Sequence, residues 1–177
     1  MEFVCRDVRK EPELMTTNRE DISGNMTENA RLDISAIGVW NQYEKAFFDV
    51  RISHPNAESH VNKTMQKIYA ENERQKKAAY NERVIQCEHA TFTPLVFTTT
   101  GGMGPECQRL NKQLAELISQ KKNERYSDVM MHIRTKLRFA LLKATLVALR
   151  GVRGRQRLTH LNESSVEDID FNLIPVS

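Results

Sequence analysis

The chain has only three cysteines, Cys5, Cys87 and Cys107, spread over 177 residues with no C-x-x-C pair. That spacing supports neither a disulfide framework nor a self-contained zinc site, and a reducing intracellular compartment is the default expectation. Long apolar runs are missing as well. The longest, Phe139 to Leu149, is interrupted by Lys143 and flanked by Arg138 and Arg150, well short of the ~20 residues needed to cross a bilayer. The N-terminal MEFVCRDVRK mixes charge with short apolar runs, so no secretory signal is read there and no membrane is expected as a partner.

Acidic residues are scarce in one region only. Residues 121 to 157 hold 11 Lys/Arg against 2 Asp/Glu, whereas residues 1 to 60 hold 7 against 11 and the last twenty hold none against 4. The net charge of +3 therefore hides an acidic front, a basic segment and an acidic tail. A basic stripe attracts polyanions, because lysines and arginines that neutralise phosphates release counterions. A solvated helix face accounts for the same charges equally well.

Periodicity gives an order of elements. A weakly alternating strand is expected from Arg6 to Leu14, interrupted near Pro12, then a polar loop over residues 15–29. Two better strands, Ala30 to Val39 and Lys45 to Ser53, are joined by WNQYE in a hairpin. From Asn62 to about His89 the pattern is helical and very polar, with no Gly or Pro. The β-branched TFTPLVFTTT predicts another strand, and Gly104-Pro105 opens a second helix, with Pro at a first-turn position where its missing N–H costs nothing. A last helix spans about Ser127 to Arg150, with Val129, Met130, Ile133, Leu137, Ala140, Leu141 and Ala144 marking a core-facing stripe. Lys136, Lys143 and Arg150 recur every seven residues on another face. The order implies an α/β domain with a small mixed sheet of about four strands flanked by helices and ending in a basic helix. Its divisions are a core over 1–120, a basic helical extension packed on it over 121–157, and an acidic, disordered tail over 158–177.

The segments RLDIS and AFFDVRIS set Asp33 and Asp49 at central positions of strands that look buried. An ionised carboxylate costs several kcal/mol to bury unless it is compensated. A divalent cation compensates both at once, since hard Mg²⁺ takes one or two carboxylates and completes its shell with water and phosphate. The plainer alternative is a salt bridge of Asp33 with Arg31 and of Asp49 with Arg51, because residues two apart on a strand share a face. His54, His60, His89, His132 and His160 lack metal-ligand spacing and suit surface or capping roles. The turn TTTGGMGPE reads as a plain strand-to-helix connection.

Asp33, fifteen intervening residues and then Asp49-Val50-Arg51 resembles the PD-(D/E)xK motif of restriction-endonuclease-like nucleases. The blocks ARLDISA, AFFDVRI, ATFTPLVFTTTGGMG and RTKLRFALLKATLVALRG look more specifically like the endonuclease-like region that follows the reverse transcriptase of non-LTR-type retroelements. The likeness runs over residues 1 to 153. It implies a restriction-endonuclease-like fold and a Mg²⁺- or Mn²⁺-dependent DNA endonuclease. Asp33, Asp49 and the backbone carbonyl of Val50 would be metal ligands, with a third carboxylate from among Glu2, Glu11 and Glu13, Glu11 being taken first, and Arg51 would stand in the place of the motif lysine. Leu32 stands where the pattern has proline, and Arg51 keeps the charge but cannot act as a base, leaving water activation to the metal. Lys76, Lys77 and Tyr80 would approach nucleic acid from the following helix, and Lys136, Lys143 and Arg150 from the basic one. The implied partner is DNA, with RNA or a reverse transcriptase of the same element as further candidates, in an intracellular, nuclear setting. No polymerase motif or upstream zinc-binding pattern is present, so the chain is expected to be a separated piece of a longer element. The alternative function is a nuclease-like module that binds nucleic acid or assembles without cutting.

Overall fold

The computed structural model describes Met1 and residues 4–15 and 30–151. The chain is mixed α/β, with one open four-stranded sheet and three helices. Strands β1 (Arg6–Lys10), β2 (Ile34–Ile37), β3 (Lys45–Ser53) and β4 (Thr91–Thr98) lie side by side in chain order. β1 with β2 and β2 with β3 are antiparallel, and β3 with β4 is parallel. Joining two parallel neighbours needs a crossover, which helix α1 (Met65–Glu88) supplies after a 3-10 turn at Glu58–His60. Helices α2 (Pro105–Lys122) and α3 (Tyr126–Gly151) follow β4.

Alternation along β3 decides what each sheet face carries. Ala46 and Phe48 join Ala36, Leu95, Cys107 and Leu110 in a core beneath α2. Phe47 joins Leu32, Val84, Phe92 and the partly buried Tyr80 in a second core beneath α1. Pro94 is accommodated because β4 is an edge strand, where a missing N–H breaks no ladder.

Local chemistry sets the element ends. Thr64 caps α1, its hydroxyl accepting from the Lys67 N–H at 3.3 Å, and His89 ends that helix in the left-handed conformation at φ 49°. Pro105 starts α2 behind Gly104, and Asn123 closes it in the same left-handed way. Gly38, at φ 91°, makes the turn of the β2–β3 hairpin. At Gly102 a Cβ would lie 2.1 Å from the Tyr69 hydroxyl, so a larger residue in this strand-to-helix turn would have to push the Tyr69 side chain aside.

The strand expected over residues 30–39 is shorter than its pattern. β2 begins at Ile34, and Asp33 sits at a bend before it and is exposed. Asp33 is thus not a buried central strand residue; Leu32, fully buried, is the residue that enters the core there. β1 likewise ends at Lys10, with only an isolated Glu13–Arg31 bridge beyond it. Arg83, on the helix expected to be solvated, is 2% exposed and donates to the Leu14 and Met15 carbonyls, fastening that segment to α1.

A first compact unit runs from Met1 to Leu141, and a second starts at Leu142. In the first, Val129 and Met130 pack with Ala115 of α2 as expected of the helical stripe. The stripe stops being core soon afterwards, since Ala140 is exposed. In the second unit Ala144 is exposed too, so helical periodicity here outruns the surface available to cover it. The proposed tail, 158–177, lies outside the described residues. No described helix is long and apolar enough to cross a membrane.

Candidate functional site

β3 is longer than β2, and the site forms where that mismatch begins. The β2–β3 register ends with Ile34 opposite Phe48, so β3 from Asp49 onward pairs with β4 but has lost β2 on its other side. Continuing the register by one step sets Asp33 opposite Asp49. The Asp33 carboxylate accepts the Val50 N–H at 2.6 Å, capping the first backbone donor left without a ladder partner. The N–H and C=O of one strand residue point to the same side, so the Val50 carbonyl shares this edge.

The Asp49 side chain points to the α1 face, in line with Phe47, and only 6% of the residue is exposed. Above it α1 presents a ridge at every fourth position, Ile68, Asn72, Lys76, Tyr80 and Val84. The outer members are apolar, but Lys76 extends its ammonium to within 2.5 Å of Asp49 Oδ2. The carboxylate is the more buried partner of this ion pair, its side chain 8% exposed against 23% for Lys76. Burial pushes the Asp49 carboxyl above its ordinary value, Lys76 opposes that shift, and the charge of nearby Asp33 reinforces it. Arg51, two residues along the same face, donates to Gln75 Oε1 at 2.9 Å.

The plain salt bridges therefore do not form as expected. Arg31 pairs with Glu13 at 2.5 Å instead of with Asp33, and Asp49 takes Lys76 as its cation while Arg51 holds Gln75. Lys76 belongs to the carboxylate site. Lys77 pairs with Glu106, and the Tyr80 ring packs against Phe92 with centroids 5.8 Å apart. Glu11 is exposed, its backbone N–H donating to the Asp33 carbonyl. Among the described residues no three or more His, Cys, Asp or Glu side chains gather as metal ligands, so Glu11 does not complete a carboxylate triad, and Glu2 lies outside the described residues. Lys136 in the first unit, and Lys143 and Arg150 in the second, are exposed.

Two contributors carried no motif. Gln75 orients Arg51, and Glu73 accepts the Glu106 N–H at 3.1 Å, occupying the N-terminus of α2. Burial raises the Glu73 pKa, against the opposing hydrogen bond. The resemblance had already set Lys76 among the helix residues near the site, but as a nucleic-acid contact and not as the partner of Asp49.

Whether these residues suit a hard cation can be judged on Asp49. The buried Asp49 Oδ2 already faces the Lys76 ammonium at 2.5 Å, so a metal ion would take that oxygen only in place of the lysine, with Asp33 and the Val50 carbonyl as further oxygen donors on the adjoining edge. This donor set fits an ion that keeps part of its shell for water and phosphate. No family model, curated protein or solved structure matches the chain.

Proposed function

We propose that the chain is a restriction-endonuclease-like domain of retroelement origin that binds DNA and nicks a phosphodiester with Mg²⁺ or Mn²⁺. The reading is carried by one juxtaposition: Asp33, Asp49 and Lys76 meet at the edge where β2 stops and β3 runs on. Asp49, Asp33 and the Val50 carbonyl would hold the ion. Bound there, it supplies Lewis-acid polarisation of the phosphate and an acidified water. Arg51, held by Gln75, offers fixed positive charge to a phosphate oxygen. RNA or a reverse transcriptase of the same element would be further partners, and the nucleus the setting.

Supercoiled plasmid incubated with the protein and Mg²⁺ should become nicked, and Asp49→Ala or Asp33→Ala should lower the rate by about 10²-fold or more. Nicking that is absent, or that survives both substitutions, overturns the reading. A second reading, a nuclease-like module that binds without cutting, is favoured by the exposure of Lys136, Lys143 and Arg150. It predicts that charge reversal at these three lowers DNA affinity and flattens its salt dependence, with no nicking in any variant.

A further inference from the structure

We propose that Lys76 is a displaceable counter-ion: it holds Asp49 while no metal is bound and is driven off when one binds, so lysine and metal exclude each other at Asp49 Oδ2. The inference rests on the metal-site reading above. A coordinating Mg²⁺ sits ~2.0–2.1 Å from a carboxylate oxygen, and the Lys76 ammonium already stands 2.5 Å from this one. Two cations cannot share one buried oxygen without strong repulsion.

Two features suit Lys76 to leaving. Its side chain is 23% exposed against 8% for Asp49, so a route outward exists for the lysine and not for the carboxylate. Its ammonium also lies 5.5 Å from the Tyr80 ring centroid, giving the freed charge an aromatic face on the same helix. Arg51, tied to Gln75, has no such freedom. The arrangement accounts for a pair of carboxylates without a third: the lysine balances one of the two charges until a metal replaces it.

Calorimetric titration of Mn²⁺ into the full chain, without DNA, tests this. Lys76→Met and the polar Lys76→Gln should each bind Mn²⁺ roughly tenfold more tightly than the unaltered protein, and Asp49→Asn should abolish binding. If both Lys76 variants bind no more tightly while Asp49→Asn abolishes binding, the exclusion is overturned and the metal site stands. If neither the unaltered protein nor the Lys76 variants bind Mn²⁺, the metal reading falls and the exclusion with it.

Discussion

The two faces of the sheet are built from the same strands and differ in what they exclude. Beneath α2 the buried residues are mainly apolar, Ala36, Phe48, Leu95, Cys107 and Leu110, with Thr93 and Asn111 as neutral polar members and no charge among those described. There burial, helped by the charge of Glu73, pushes the Cys107 thiol up to about 12. Beneath α1 the face is divided. Phe47, Val84 and Phe92 form one half, while Asp49, Lys76, Arg51 and Gln75 form the other. One face has the composition of a structure-bearing core. The other gives part of its surface to charges that cost free energy to bury.

If that contrast is sound, the largest loss of stability comes from the α2 face. Phe48→Ala, at a fully buried site, should cost about 3–5 kcal/mol in equilibrium denaturant unfolding. A loss under ~1 kcal/mol would mean that this face is not the main core. Glu73→Ala should cost about 1 kcal/mol, the worth of a side-chain acceptor at a helix N-terminus. Glu73→Gln keeps an acceptor and removes the charge, and its effect is smaller still. The folded-state pKa of Glu73 is raised, so its contribution is fully present below the unfolded pKa and is lost as pH rises through the folded one. Relative to the unaltered protein, Glu73→Gln should therefore be the more stable at pH 7 and equal to it in acid, as unfolding at the two pH values would show.

Much of the fold was legible. The alternation of KAFFDVRIS, the β-branched TFTPLVFTTT and the Gly104-Pro105 start locate β3, β4 and α2 closely. β2 was overextended because ARLDIS alternates well enough as a strand, whereas its length is set by tertiary pairing: β2 stops at Ile34 and Asp33 turns its side chain to the Val50 N–H. Asp49 was readable as a buried acid among apolar neighbours. Its partner was not, because Lys76 looks like any other cation of a polar helix until α1 is laid on the sheet. On the distal part of α3 a helical stripe was visible, but amphipathic spacing says which side chains could be covered, not what covers them.

On the proposed reading, the ionic part of the α1 face serves chemistry and contributes little to folding. Replacing a buried ion pair with neutral groups of similar size is often neutral or stabilising, whereas removing one partner alone strands a buried charge and is costly. The direct measurement is urea unfolding of Asp49→Asn/Lys76→Met beside the unaltered protein at pH 7. The account predicts a double variant at least as stable, within about 1 kcal/mol. A loss of ~3 kcal/mol or more would make Asp49 and Lys76 part of the fold's support and contradict it.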